Sequence, residues 1–241
     1  MEAGEITLRH FQTRLEVERK GDDTPVTVAD REVEQNVRSE IGRVFPAHAI
    51  LGEEQGAKTG RDSTHRWIID PIDGTAAFAR GNPMYAILLG LEIEGRCEVG
   101  VAYFPALNEF LYAATGLGAW WNGREARVSG LANLDESFVS VAAPASLRGG
   151  HSDNVLHELS RQSYHLASWS GAYGHALVAT GRAELALDSV MEPWDCAPFV
   201  PILREAGGFF GSWSGNENIY SGTALSTNHL LLDHILSITS R

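Results

Sequence analysis

The chain has 241 residues, 44% of them hydrophobic and 21% charged, which suits a globular protein with one large domain or two compact ones. Its 31 acidic residues outnumber its 19 lysines and arginines and give a formal net charge of −12, which argues against nucleic acid and anionic membranes as partners. The two cysteines, Cys97 and Cys196, lack metal-ligand spacing, and no apolar run approaches the ~20 residues of a membrane helix. We therefore expect a cytoplasmic protein with no disulfide framework, zinc site or membrane span.

The first half of the chain is predicted to contain two helices and an antiparallel sheet. Apolar residues at helical spacing predict an amphipathic helix over residues 5–20 and a second helix that ends before Pro46. Thr27 and Asp30 have the spacing of an N-terminal cap for that second helix. A short strand over residues 49–52 leads into Glu53. Further strands over residues 85–93, 99–104, 109–114 and 119–121 are joined by turns containing Gly, Pro or Asn, which is typical of an antiparallel sheet.

The pattern changes after about Ser129, where strands begin to alternate with helices. Strands are predicted near residues 139–142, 185–188, 207–210 and 224–226, and helices over residues 153–163, 173–180, 199–206 and 230–238. Such alternation is typical of an α/β unit. We therefore predict an α+β domain over residues 1–130 and an α/β domain over residues 131–241, with a shared interface.

One stretch stands out by its chemistry, and it reads Trp67-Ile68-Ile69-Asp70-Pro71-Ile72-Asp73-Gly74-Thr75. Three bulky apolar residues predict a buried strand, and Pro71 and Gly74 predict its end. Asp70 and Asp73 could not both stay ionised in a partly dry cleft without a shared positive charge, and a divalent cation is the natural one. Gly74 lets a ligand approach the backbone, while Thr75 offers a hydroxyl and an N–H group to an anion. A strand followed by a simple Asx turn is the alternative.

Glu53 and Asp195 also stand out, because each follows or precedes an apolar run as Asp70 and Asp73 do. A ligand set of carboxylates without His or Cys favours Mg²⁺ or Mn²⁺ over zinc. Two such ions ~3.5–4 Å apart would stabilise both the attacking and the leaving oxygen of a phosphoryl transfer. The acids therefore predict a site where metal and phosphate meet.

Three ordered motifs resemble the inositol monophosphatase family of metal-dependent phosphatases, and they are Gly52-Glu53-Glu54, Asp70-Pro71-Ile72-Asp73-Gly74-Thr75 and Trp194-Asp195-x-Ala197. Two further matches, Val26-Thr27-x-x-Asp30 and Glu205-Ala206-Gly207-Gly208, extend the resemblance over nearly the whole chain. It implies a layered αβαβα sandwich of the inositol monophosphatase and fructose bisphosphatase type, with most metal ligands in the first domain. It also implies a phosphoric monoester hydrolase with two or three Mg²⁺ per site, Mn²⁺ as a substitute, and a homodimer. Haloacid-dehalogenase-type phosphatases have D-x-D spacing instead.

The resemblance also implies roles for individual residues. The implied metal ligands are Glu53, Asp70, the backbone carbonyl of Ile72, Asp73 and Asp195. Thr75, paired with Asp30, would orient and activate the attacking water, with Glu53 as a further catalytic residue through its metal. The N–H groups of Gly74 and Thr75 would receive phosphate oxygens.

The second domain is expected to complete the pocket for the leaving group. The implied substrate contacts are Asp73, Ser170, Gly171, Ala172, Asp188 and Asp195. Residues 178–195 resemble the histidinol-phosphate phosphatase branch, but Gly171 stands where such enzymes often have an acid, and Ser170-Gly171-Ala172 is closer to the inositol enzymes. We predict histidinol phosphate as substrate, with inositol 1-phosphate as the alternative. Fructose bisphosphate, nucleotide 3′-phosphates and a non-enzymatic macromolecule-binding role remain open, and Mg²⁺-dependent phosphate release would discriminate the last of these.

Overall fold

The structure, a computed structural model, describes residues 2–21, 23–142 and 150–240. The helices in this part of the chain are α1 (Glu2–His10), α2 (Val28–Val44), α3 (Thr75–Ala79), α4 (Gly150–Gln162), α5 (Gly171–Ala179), α6 (Pro193–Cys196), α7 (Phe199–Glu205) and α8 (Leu232–Thr239). The strands are β1 (Glu18–Arg19), β2 (Pro25–Val26), β3 (Ala49–Gly52), β4 (Gly56–Lys58), β5 (His65–Asp73), β6 (Ala86–Ile93), β7 (Arg96–Phe104), β8 (Glu109–Ala114), β9 (Ala119–Trp121), β10 (Arg124–Glu125), β11 (Phe138–Val141), β12 (His165–Ala167), β13 (Leu185–Asp188), β14 (Gly208–Gly211) and β15 (Ala224–Asn228). None of these helices combines the length and the apolar character that crossing a bilayer requires.

The first helix is shorter than its sequence pattern predicts, because α1 ends at His10 and not near residue 20. Gln12 has a φ of 57°, which a continuing right-handed helix does not allow. Phe11 and Leu15 keep their apolar contacts from a loop, where they pack against a buried cluster that includes Phe78. The apolar residues at helical spacing are therefore packed against the core here, although they do not lie on a helix.

The second helix begins as predicted. Thr27 is the N-cap of α2, and its backbone N–H donates to Asp30 Oδ2 at 2.8 Å, while the Thr27 side chain accepts from the backbone of Ala29. This reciprocal capping satisfies backbone groups that the first helical turn leaves without partners. It also fixes Asp30 at the start of α2, fully buried beneath the first sheet.

The larger sheet has eight strands in the order β10-β9-β8-β7-β6-β5-β3-β4, and all neighbours are antiparallel except β3 and β5. The predicted antiparallel sheet is thus confirmed. Side chains alternate across it as the two-residue period of a strand requires. Ile69 packs with Ile41 of α2 on one face, while Ile68 joins the core on the other face with residues of α5 and α7.

The smaller sheet has five strands in the order β12-β11-β13-β15-β14, with β11 parallel to both its neighbours and β15 antiparallel to both of its own. Its inner face shares a core with α5, α7 and the larger sheet, and its outer face packs on α4 and α8. The layers are therefore helix, sheet, helix, sheet, helix, and the predicted αβαβα sandwich is confirmed. The two sheets fall on either side of residue 130, but one core joins them, so the domain boundary stays a prediction.

Candidate metal centre

The site begins with an irregularity in β5. Asp70 pairs with Leu88 of β6, yet Asp73, three residues on, pairs with Ala86, only two residues away. One extra residue is therefore accommodated in β5 as a bulge. In a regular strand, residues three apart point to opposite faces, whereas this bulge returns both aspartates to the face that Leu88 and Ala86 share. The strand also continues through Asp73 and does not end at Pro71.

Asp195 reaches the same place from the other half of the chain. It lies in the first turn of α6, where the backbone N–H of Glu192 donates to its Oδ2 at 2.8 Å. Carboxylate oxygens of Asp70, Asp73 and Asp195 all lie within 4.8 Å of one another. Asp70 is buried, and the other two side chains are half-buried. The structure thus brings together three of the four acids that the sequence singles out.

The three carboxyl groups are electrostatically unfavourable as they stand. Burial, followed by the negative charges of Glu53 and Asp195, holds the pKa of Asp70 well above its usual range. Burial and the charge of Asp195 do the same for the pKa of Asp73, and burial raises the pKa of Asp195 to about 7. A divalent cation would relieve this repulsion, and donors that are all oxygen suit a hard ion such as Mg²⁺. The residues therefore fit the metal that the sequence predicts.

Glu53 follows β3 and is held near the three aspartates by a second set of contacts. Glu34, fully buried on α2, accepts the backbone N–H groups of Glu54 at 2.7 Å and Gln55 at 3.0 Å. Gly52 allows this approach, because a Cβ there would lie 2.3 Å from Glu34 Oε1. The turn that presents Glu53 is therefore fixed by a buried carboxylate from a helix.

The ammonium group of Lys20 also contacts Glu53. Lys20 Nζ is 2.7 Å from Glu53 Oε1 and 2.6 Å from Glu54 Oε1. Burial lowers the pKa of Lys20, but the two carboxylates outweigh it and the pKa lies above its usual range. Burial raises the pKa of Glu54 to about 7, although Lys20 opposes the shift. The sequence analysis missed Lys20 and Glu34, and their distance along the chain from Glu53 left no spacing by which to find them.

Thr75 and Asp30 meet as the resemblance implies. Thr75 Oγ1 lies 3.0 Å from Asp30 Oδ1 and 3.1 Å from the carbonyl oxygen of Ile72. The other oxygen of Asp30 already accepts two hydrogen bonds from Thr27. Burial raises the pKa of Asp30, and the hydrogen bonds from Thr27 and Thr75 partly offset this rise. Asp30 Oδ1 is therefore the oxygen available to take a proton from Thr75.

The remaining predicted residues line one side of the cluster. Gly74 has a φ of 78°, and a Cβ there would lie 3.4 Å from Ser170 Oγ. Ser170 itself has φ 69° and ψ 162°, a conformation that costs a non-glycine residue about 1–3 kcal/mol and is concentrated at functional sites. Ala172 donates its N–H to Asp73 Oδ2 at 3.3 Å, and a Cβ on Gly171 would lie 3.8 Å from Asp188 Oδ1. The start of α5 therefore borders both the aspartate cluster and Asp188.

A second group of possible metal ligands lies at the surface, where His48, Asp62 and His65 come together. His65 Nδ1 is 2.7 Å from Asp62 Oδ2, and the rings of the two histidines stack with centroids 4.5 Å apart. Trp67 Nε1 donates to His48 Nδ1 at 3.1 Å, which leaves the proton of neutral His48 on Nε2, the nitrogen that faces Asp62. A metal there would have to displace that proton and the tryptophan, so the network is better explained as structural.

Comparison with known proteins decides the family. The model of the inositol monophosphatase family matches residues 1–238. The chain belongs to the inositol monophosphatase family. It is 42% identical over 224 residues to a histidinol-phosphatase from Chlorobaculum parvum, covering 92% of this chain and 86% of that protein. It is 34% identical over 248 residues to an inositol-1-monophosphatase from Mesorhizobium japonicum, and the match covers 100% of this chain and 93% of that protein.

The solved structures agree with the fold. The crystal structure of extragenic suppressor protein suhB from Bartonella henselae superposes with a TM-score of 0.94 at 29% identity and covers 100% of this chain and 95% of that one. As a member of the inositol monophosphatase family, the chain is a phosphoric monoester hydrolase, and the family depends on metal ions. The relatives carry different substrate names, so the family membership does not select the ester.

Proposed function

We propose that this chain is a Mg²⁺-dependent phosphatase that hydrolyses histidinol phosphate. The observation that carries the phosphatase chemistry is the aspartate cluster with the Thr75 and Asp30 pair beside it. The proposed ligands are Glu53, Asp70, the Ile72 carbonyl, Asp73 and Asp195. Mg²⁺ bound by them would supply Lewis acidity, neutralising phosphate charge and lowering the pKa of water. Two or three ions per site and replacement by Mn²⁺ stay predictions.

The chain's own groups would then orient and deprotonate the attacking water. When the Thr75 hydroxyl donates to Asp30 Oδ1, a lone pair of Oγ1 is left to accept a hydrogen bond from water. The raised pKa of Asp30 makes its carboxylate a better proton acceptor than a solvated aspartate. We propose that the N–H groups of Gly74 and Thr75 hold phosphate oxygens, since the left-handed turn at Gly74 lets the backbone approach a ligand.

Two features support histidinol phosphate over inositol 1-phosphate. The relative with 42% identity is named a histidinol-phosphatase. Asp188 lies close enough to Asp73 and Asp195 to raise the pKa of both. Because Asp188 is not among the proposed metal ligands, its negative charge is left to face the leaving group. An ammonium group gains more from such a potential than a neutral hydroxyl does. We propose Asp188, with Ser170, Gly171 and Ala172, as the surface that contacts the leaving group.

The test is phosphate release from histidinol phosphate, inositol 1-phosphate, fructose 1,6-bisphosphate and 3′-phosphoadenosine 5′-phosphate, each with Mg²⁺ and with chelator. We expect Mg²⁺-dependent release with the highest kcat/KM for histidinol phosphate. Asp188→Asn keeps the side chain's shape and removes its charge, so it should raise KM for histidinol phosphate more than KM for inositol 1-phosphate. A preference for inositol 1-phosphate would reject the substrate, and no release from any ester would favour a macromolecule-binding role.

We also propose a homodimer formed through the outer face of β7, β8 and β9. A groove on this face is almost purely apolar, and its lining residues are Val99, Val101, Phe110, Tyr112, Ala113, Ala114, Leu117, Gly118 and Trp120. Leu117 is 72% exposed, which is unusual for a leucine beside other apolar side chains. Leu117→Glu should therefore lower the mass measured by light scattering to that of a monomer, and an unchanged mass would place the contact elsewhere or exclude it.

A further inference from the structure

A buried histidine behind the pocket has no part in the proposed reaction. His175 on α5 has 0% of its surface exposed, and its ring lies 5.2 Å from that of Phe199 and 5.3 Å from that of Phe210. Its Nδ1 is 2.6 Å from Ser226 Oγ, and its Nε2 is 3.0 Å from Asp188 Oδ2. An imidazole among aromatic rings is costly to bury unless its nitrogens meet polar atoms. The hydrogen bond with Ser226 offsets part of that cost.

The chemistry of the partners shows that Nε2 of His175 carries a hydrogen atom. An ionised carboxylate only accepts, so a lone pair on Nε2 at this distance would be repelled and Nε2 must carry hydrogen. Ser226 can donate to Nδ1 of a neutral ring or accept from a charged one, so both protonation states present Nε2–H to Asp188. The contact is not aligned as a hydrogen bond, and Nε2 has no hydrogen-bond partner among the described residues. A small rotation of the carboxylate would complete it.

The other oxygen of Asp188 lies next to Gly171, at the start of α5 that borders the aspartate cluster. Gly171 lies one helical turn before His175, on the same face of α5. A Cβ on Gly171 would lie 3.6 Å from Asp73 Oδ1 and 3.8 Å from Asp188 Oδ1, so the glycine keeps the space above both carboxylates open. One face of α5 therefore contacts one oxygen of Asp188 through His175 and approaches the other oxygen at Gly171, where no side chain covers it.

We propose that His175, supported by Ser226, is a positioning residue that presents Asp188 Oδ1 to a hydrogen-bond donor of the leaving group, either a hydroxyl or an ammonium group. The proposal rests on the proposed phosphatase function of the same site. Without His175, the carboxylate would be free to turn, and an ester that carries a donor would lose a contact. An ester whose leaving group has no donor would lose nothing.

The test compares two esters in variants that remove His175 and its hydrogen-bond partner Ser226. The double variant His175→Phe/Ser226→Ala keeps an aromatic ring against Phe199 and removes both polar groups together, and Ser226→Ala alone is its control. The donor-bearing ester is the one that the wild-type protein hydrolyses fastest in the panel above, and p-nitrophenyl phosphate is the ester without a donor. We expect the double variant to raise KM for the first ester about tenfold, which is the net effect of losing one hydrogen bond. Its kcat for that ester, and both constants for p-nitrophenyl phosphate, should stay within about twofold of the wild-type values.

Two comparisons separate positioning from a general effect on the fold. In an Asp188→Asn background the double variant should cause no further rise in KM, since residues that act through one contact are not additive. Equal losses for the two esters, or a further rise in that background, would show a merely structural role and overturn the proposal. An unchanged KM for the donor-bearing ester would overturn it as well.

A crystal structure of the double variant provides a readout that does not depend on turnover. The Asp188 carboxylate should be rotated or disordered relative to the wild-type protein, and an unchanged orientation would refute the role of His175. Failure of the proposed function would be seen separately, in the wild-type protein. That protein would then hydrolyse none of the esters in the presence of Mg²⁺, p-nitrophenyl phosphate included.

Discussion

Replacing Asp195 by asparagine should stabilise the metal-free protein while it weakens metal binding. The amide keeps the size of the carboxyl and can still accept the N–H of Glu192. Between pH 3.8 and about 7 the native carboxyl of Asp195 binds a proton that the unfolded one has released, so the wild-type penalty grows with pH across this window and is complete above it. At pH 8 the variant avoids that penalty.

The size of the effect follows from the pKa of Asp195. Raising a carboxyl pKa from 3.8 to about 7 corresponds to about 4 kcal/mol once the group is ionised. Because the side chain is half-buried, solvent screening reduces this figure, and we expect a gain of about 2 kcal/mol in the free energy of unfolding at pH 8. At pH 4.5, near the lower end of the window, most of the gain should disappear.

The assay is denaturant unfolding followed by circular dichroism, with chelator and with saturating Mg²⁺, at pH 8 and pH 4.5. In chelator at pH 8 the variant should be the more stable protein, and with Mg²⁺ the order should reverse, because ligand binding stabilises the native state that binds it more tightly. Asp135→Asn, an exposed aspartate on the surface, is the matched control and should change nothing. A variant that is less stable than the wild type in chelator at pH 8, or equal Mg²⁺ gains in both proteins, would refute the reasoning.

Three further substitutions test the surroundings of the cluster. Glu34→Gln should lower Mg²⁺ affinity about tenfold by titration calorimetry, because it weakens the buried contacts that hold the turn after Glu53. The exposed Glu40→Gln on the same helix should leave that affinity unchanged. Lys20→Met should raise Mg²⁺ affinity several-fold in the same titration, since the ion no longer competes with an ammonium group, and an unchanged affinity would show that Lys20 is no competitor. Thr75→Val should lower kcat at least about 100-fold with little change in Mg²⁺ affinity, as expected for loss of a proton-transfer group, and equal losses in both would contradict that role.

Much of the site is local chemistry that the sequence by itself determined. The capping pattern of Thr27 and Asp30 depends only on residues three apart, and the structure reproduces it. Asp70 and Asp73, at the end of β5, belong to one continuous motif, so the sequence alone was enough to predict a metal site and the family. The alternation of strands and helices after Ser129 depended on periodicity within each element, and the layered sandwich agrees with it.

Tertiary structure decided what depends on residues far apart in the chain. The bulge in β5 arises from pairing with β6, and without it Asp70 and Asp73 would point to opposite faces. Lys20 meets Glu53 only because a loop crosses the turn after β3, and His175 meets Asp188 only because α5 packs on β13. Helical spacing predicted α1 as far as residue 20, but packing of Phe11 from a loop buries that ring without a helix. Periodicity reports which residues are buried, whereas long-range packing decides how the chain brings them there.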